Sequence, residues 1–419
     1  MGAGKATLGA VLKAVGFVGR QQRDWKTTLV RSSLHRFVYQ MVFPYMSIYT
    51  VALGATATQL GIVNTTGMLV AAVFSLLTGW LIDRTGVKTI YLIAIGLLTL
   101  SYLTYGVAQG WVIIIISMAA WRLGDSTSMH GCSVICGNSL ASEDRVTGMS
   151  ICEGLAAGLM GMAGPMLGAL LVAVFGGVNV EGIRPLFFVA LAITIGTFFL
   201  VTTQLSNHRW GYQFGSRPTF FKGFSQVFKE GHNLKRWLII GSITSLPLGM
   251  ILPFTQPFAH EVKGADQYVL GAMVTGFALT PLVFGIPLGR LADKIGRKRV
   301  LYLIAPLFWV SNLMLIWAPG PVFLIVAGVL QGFFHPCAVI VGAMTFELVP
   351  PEKMGRWIGI NRFFRMSLAA GSAFMSGVIW DTIGPQYVFL AIIGLDVLIR
   401  IPLLIGMPET LGTRMRTGR

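Results

Sequence analysis

Arg122 and Asp125 stand three residues apart, and Arg362 and Arg365 repeat that spacing; each pair falls inside a long apolar stretch. Three-residue spacing on a helix places both side chains on one face. An ionisable group deep in apolar surroundings costs a few kcal/mol, so it is a functional hypothesis by default. Glu153 is the third such group. A carboxylate there can exchange a proton near neutral pH, which makes Glu153 the first candidate proton carrier and Asp125 the second, with Arg122 beside it. Arg36, Tyr39 and Gln40, next to His35, are candidates to touch a substrate, with His335, Asn361, Arg362 and Arg365. His335 reads equally as a pH-sensitive group or a packing residue. Asp396 and Arg400, four apart, read most simply as an ion pair. The interior holds more arginine than carboxylate, which suits a carboxylate or phosphate on a substrate.

The elements that carry these residues follow from composition. Of 419 residues, 54% are hydrophobic and only 11% charged, against roughly a quarter charged in a soluble domain. The apolar residues group into twelve stretches near 32–53, 57–82, 88–108, 111–137, 146–175, 184–203, 237–258, 267–291, 299–318, 321–347, 356–380 and 386–406. A helix needs about 20 residues to cross a bilayer. The fold class expected is therefore an all-α integral membrane protein. The net charge of +16 is no nucleic-acid signal. Most Lys and Arg fall in the tails and alternate loops, and only Arg184 and Lys263 in the opposite loops. That asymmetry puts both termini in the cytoplasm. The polar interruption at 204–236 separates two halves, 31–203 and 237–406, between a segment at 1–30 and a tail at 407–419. Four cysteines within apolar segments argue against a disulfide framework. His130, Cys132 and Cys136 lack the further ligands of a metal site.

The halves repeat. GWLIDRTGVKTI at 79–90 returns as GRLADKIGRKRV at 289–300. Gly110 matches Gly320 at the same offset of 210, and Arg145-x-x-Gly148 matches Arg356-x-x-Gly359 at 211. Parallel six-helix repeats are a transporter plan. Gly86 and Gly296 suit a tight turn. Asp83 and Asp293 sit where a carboxylate can pair or cap a helix.

The double phrase resembles the signature of the major facilitator superfamily, G-x-L-x-D-R-x-G-R-K between helices two and three. Val87 stands where that family usually has Arg, and Lys294 replaces Arg in the second copy. The resemblance implies twelve transmembrane helices in two pseudo-symmetric six-helix bundles, and alternating access by rocking of the halves. It implies gating roles for Asp83, Arg84, Gly86, Asp293, Lys294 and Gly296, with Asp144 or Glu143 as partner of Arg84. Gly164-Pro165-x-x-Gly168 resembles the family's antiporter motif, with Ala169 in place of its final Gly and Met160 of its first, and assigns a gating role to Gly164 and Pro165. Arg122 lies near the place of an arginine linked to proton coupling in the family's drug antiporters. PETLG at 408–412 resembles the sequence that follows the last helix of sugar porters.

The function expected is proton-coupled export of small amphiphilic compounds across the plasma membrane. The alternative is a carrier of organic anions. A non-transporting sensor is the reading from another class, and interior charge in both halves speaks against it. No P-loop, HExxH, Ser/His/Asp spacing or carboxylate dyad is present, so neither an enzyme nor a cofactor is expected. The partners expected are a small-molecule substrate, protons and membrane lipids, with no nucleic acid. A monomer is expected because the chain contains both halves.

Overall fold

The computed structural model describes residues 16–85, 87–140, 144, 148, 151–152, 158, 160–207, 234–349, 354–407 and 409, with the side chains at 76–85, 129–134, 136–138, 346–347 and 354–356 left aside. Glu153, Gly86 and Glu143 lie outside these residues, as do the side chains of Asp83, Arg84, His130, Cys132 and Cys136. The first half contains α1 (Arg23–Ala52), α2 (Ala57–Thr85), α3 (Val87–Val107), α4 (Trp111–Ser139), α5 (Met160–Val174) and α6 (Val180–Gln204). In the second half, α7 (Leu234–Val262) is followed by α8 (Gln267–Ile295), α9 (Arg297–Trp317), α10 (Pro321–Gln331 and Phe334–Leu348), α11 (Met354–Thr382) and α12 (Pro385–Ile405).

Local chemistry sets these boundaries. The Asn179 side chain accepts from the Gly182 N–H at the start of α6, and Asp266 accepts from Val269 N–H at the start of α8. Such caps satisfy backbone donors that a helix start leaves unpaired. Pro321 and Pro385 open α10 and α12, where the missing N–H costs nothing. Pro247, Pro253 and Pro257 break α7 into Leu234–Ile243, Leu246–Met250 and Leu252–Pro257, ending in a π-helical turn.

Eight helical spans among the described residues are long and apolar enough to cross a membrane. Ile286, Trp317 and Val322 are each 68% exposed and Leu398 76%, which suits lipid and not water. Of the four helices outside the eight, α5 is described from Met160 to Val174, and α1, α4 and α11 are less apolar over their described residues. Those three carry His35, Arg36, Arg122, Asp125, Arg362 and Arg365, while the buried Asp396–Arg400 pair lies in the apolar α12.

The core runs across both halves. Met41, Tyr45, Tyr105 and Phe187 belong to one buried cluster with Met250, Phe258, Leu270 and Phe389. A second cluster, with Trp237, Met344 and Trp357, lies within the second half. Close helix approach uses small residues. A Cβ on Gly164 would come 2.6 Å from the Phe37 carbonyl oxygen of α1, and one on Gly271 3.0 Å from the Pro165 carbonyl oxygen. Gly164 thus packs α5 on α1 within the first half, while Pro165 meets α8 of the other.

Helix α1 begins at Arg23, earlier than the apolar stretch indicated. Its polar first turns are held because Trp25 is fully buried, packed with Phe17, Leu29, Leu140 and Cys152. Arg36 therefore lies about 20 Å along the helix from its start, half-buried.

Candidate transport site

Asp125 of α4 faces α1, where the His35 ring Nε2 lies 3.1 Å from its Oδ1. Arg122, the neighbour expected from spacing, instead turns toward Trp121, its guanidinium 5.3 Å from the ring centre. Arg122 Nε is buried without a hydrogen-bond partner among the described residues. Asp125 also feels the charges of Arg36 and Arg122, and Arg362 feels that of Asp125. One carboxylate thus sits among several cations. Its side chain keeps 26% of its surface open, against 9% for His35.

Two further contacts shape the cluster. Arg362 of α11 donates from Nη2 to Ser126 Oγ at 2.7 Å, joining the halves one residue from Asp125. Arg31 lies 4.4 Å from the Tyr91 ring centre and donates to the Ser128 carbonyl. Beside the charges runs an aromatic stack: Tyr39 lies 5.2 Å from Trp121 and 5.4 Å from Phe43, centre to centre. Arg36 sits 6.0 Å from the Tyr39 ring centre.

The other expected residues divide. His335 makes an edge contact with Phe277 at 5.0 Å and lies within electrostatic reach of Arg36. Asn361 faces α7, where a Cβ on Gly241 would come 3.0 Å from its Oδ1. The Arg365 Nε is buried without a partner among the described residues. Gln40 lies against α5, beside Gly164, away from the Asp125 cluster. Asp396 and Arg400 do pair, Arg400 Nη2 donating at 2.8 Å, and Trp309 Nε1 donates to the same carboxylate at 2.6 Å. That pair is satisfied and separate.

The repeated motif is seen in its second copy. Asp293 pairs with Arg297 of its own half at 3.7 Å, with 69% of its side chain exposed, and Lys294 is exposed. Gly296 has φ 108°, a conformation other residues resist, and a Cβ there would strike Glu409. Glu409, of the stretch PETLG, accepts from the Arg297 and Lys298 N–H groups at 3.0 and 3.2 Å. It caps α9. Asp144 accepts from Gln21 Nε2 at 3.0 Å.

At the opposite end of the helices, Asp381 of α11 accepts from the Thr58 and Ala57 N–H groups at 2.8 and 3.3 Å. It caps α2 across the halves, and Tyr45 OH donates to the Gln267 carbonyl nearby. Asp381 had no sequence signal, because its partners lie more than three hundred residues away.

Apolar helices around a charged, half-to-half interior define a multi-pass membrane transporter, not an enzyme. Residues 31–270 and 237–410 match the family model of the Major Facilitator Superfamily. The chain belongs to that superfamily, and is a multi-pass protein of the plasma membrane. It is 24% identical to Multidrug resistance protein MdtG of Dickeya zeae (strain Ech586) over 297 residues, 66% of this chain and 69% of that protein. It is 24% identical to the MdtG of Yersinia enterocolitica serotype O:8 / biotype 1B over 308 residues, 67% of this chain and 69% of that protein. Its fold is similar to that of nucleoside transporter NupG, with a TM-score of 0.75 at 14% identity over 92% of this chain and all of the other. The D-xylose-proton symporter gives 0.72 at 12% identity over 93% and 99%.

Proposed function

We propose that the protein is a proton-coupled exporter of small amphiphilic compounds, working by rocking of 31–203 against 237–406 about the linker 204–236, with both termini cytoplasmic. The observation that carries this reading is the Asp125–His35 pair at the contact of α1 and α4, with Arg122 alongside. In the mechanism we infer, Asp125 takes up a proton from one side and weakens its hold on His35 and the surrounding arginines. The cations then repel one another, and the Arg362–Ser126 bridge between the halves loosens. Glu153, as a second carboxylate in α5, is assigned to the same proton path. The likeness to MdtG proteins supports a drug-like substrate and the outward direction.

A second reading, carriage of organic anions, is favoured by Arg122 and Arg365, whose buried nitrogens lack partners among the described residues. Proton flux in sealed proteoliposomes with an imposed pH gradient tests both. Proton release driven by neutral or cationic amphiphiles, and lost in Asp125→Asn or Glu153→Gln, supports the exporter. A response to anions alone, intact in both variants and lost in Arg122→Gln, overturns it.

A further inference from the structure

A small cavity lies between the halves, at the Phe43 end of the Trp121–Tyr39–Phe43 stack, the far end from Asp125's neighbour Trp121. Phe43 of α1 closes it on one side; Thr255 and Gln256 of α7, Met273 and Phe277 of α8 and Gln331 of α10 line the other. No charged side chain lines it among the described residues. Gln256 is 6% exposed and Gln331 4%. Yet Gln256 Oε1 and Gln331 Nε2 are each buried without a hydrogen-bond partner among the described residues. Buried amides are nearly always satisfied, and one unmade bond costs more than an average bond contributes. Here an acceptor and a donor, on two different helices, are both left unmade in one apolar cavity. The Thr255 hydroxyl does not serve Gln256 Oε1, since its proton goes to the Ile251 carbonyl of its own helix.

The cavity measures about 20 Å³, room for about one hydroxyl-sized group. A hydroxyl carries both the donor that Gln256 Oε1 lacks and the acceptor that Gln331 Nε2 lacks. A cation finds no counter-charge, and Phe277 touches His335, which lies within reach of Arg36. A carboxylate can accept from Gln331 Nε2 but leaves Gln256 Oε1 without a donor, since an ionised carboxylate only accepts. We infer that this cavity is a substrate subsite selecting uncharged amphiphiles, whose hydroxyl or amide bridges Gln256 and Gln331 while an apolar body lies along Phe43, Met273 and Phe277. This rests on the transport reading above and narrows its substrate class. Because Phe43 belongs to the other half, the subsite opens for the rest of the molecule when the halves part.

The test is saturable binding to the purified full chain in nanodiscs, with four probes of one skeleton: phenylbutanol, the fluoride of the same shape, phenylbutylammonium and phenylbutyrate. The alcohol is expected to bind about tenfold tighter than the fluoride, which cannot donate, and tighter than either ion. In Gln256→Met and Gln331→Met the preference shrinks, and in the double variant it falls to about one, the value expected when both amide bonds are gone. Equal binding of alcohol and fluoride by the unaltered protein overturns the inference without any variant having to fold. So does a preference that survives both substitutions, tighter binding of an ion, or no binding at all. Proteoliposome flux of the same probes separates the two readings. Alcohol selectivity with no flux of any probe removes the transport reading and keeps the subsite; flux with no alcohol selectivity does the reverse.

Discussion

Position 125 of the first half is Asp and its counterpart 210 residues later is His335; Trp121 is answered at the same offset by Gln331. A duplicated helix has therefore been filled with different chemistry in its two copies. In α4 the pair Trp121 and Asp125 builds a stacked, charged site tied to α1 through Tyr39 and His35. In α10 Gln331 lines a cavity without charged side chains among the described residues, and His335 packs edge-on against Phe277 of α8. Charge in a low-dielectric interior acts over longer distances than an amide dipole does. In the proposed function the first half responds to a proton, and the second recognises a shape and a hydrogen-bond pattern. Two identical halves would bind symmetrically and would leave proton and substrate competing for one kind of group.

Asp125→Asn is the change expected to break this contrast most. It leaves the interior of the first half with His35 and arginines but without its described carboxylate. Substrate-driven proton flux should fall by about 100-fold, the scale of removing a positioned proton-transfer group. Binding of a neutral probe should stay within about twofold, because the amides that would hold it keep the net bond strength of any neutral pair. A variant that loses binding and proton flux together would show one shared site in place of two.

Arg362→Gln comes next. Its guanidinium bridges to Ser126 across the halves, and a hydrogen bond from a charged group contributes about 1.5–3 kcal/mol. Its loss should move the population of inward- and outward-facing states by about tenfold or more, read from spin-label distances across the cytoplasmic ends. Asp381→Asn tests the opposite end, where the carboxylate caps α2 from the other half. The amide keeps one hydrogen bond and loses the charge that the helix N-terminus favours, worth about 0.3–1 kcal/mol. The same distances should shift by about two- to fivefold toward the outward-open state. Equal shifts in the same direction from both substitutions would contradict a pivot between the two ends.

Much of this architecture is legible in the sequence, for physical reasons that also explain the rest. Long apolar runs and a phrase repeated at one offset are local facts, and they led to the family. The unusual cost of charge in an apolar run marked Asp125, Arg122, Arg362 and Arg365. The partner of Asp125 was not legible: spacing pointed to Arg122 on the same helix, while the bond is made to His35 on another. Gln256 and Gln331 gave weaker signals, since an uncharged amide in an apolar helix costs little enough to pass as packing. Only the absence of a partner for each sets them apart, and that is a property of tertiary structure. Trp121 and Phe43 were hidden among 27 Phe and 10 Trp. The offset to Gln331 was the one clue available for Trp121.

The smallest expected effect concerns the repeated phrase itself. Asp293 is exposed and pairs with Arg297 one turn away on the same half. An exposed pair of this spacing contributes about 0.3–0.5 kcal/mol. Asp293→Asn should therefore change transport rate by less than about twofold and leave the balance of inward- and outward-facing states as it was. Asp83 occupies the matching position of the first copy, and we assign it the latch on the cytoplasmic side. Asp83→Asn should then shift that balance where Asp293→Asn does not. The pair of variants measures whether the two copies of the phrase have diverged as the two interiors have. If both are silent, the phrase shapes turns and topology in each half, and the gating assigned to Asp83 and Arg84 is wrong. If both shift the balance alike, the local Asp293–Arg297 pair is not the contact that matters in the moving state, and the copies work as equals.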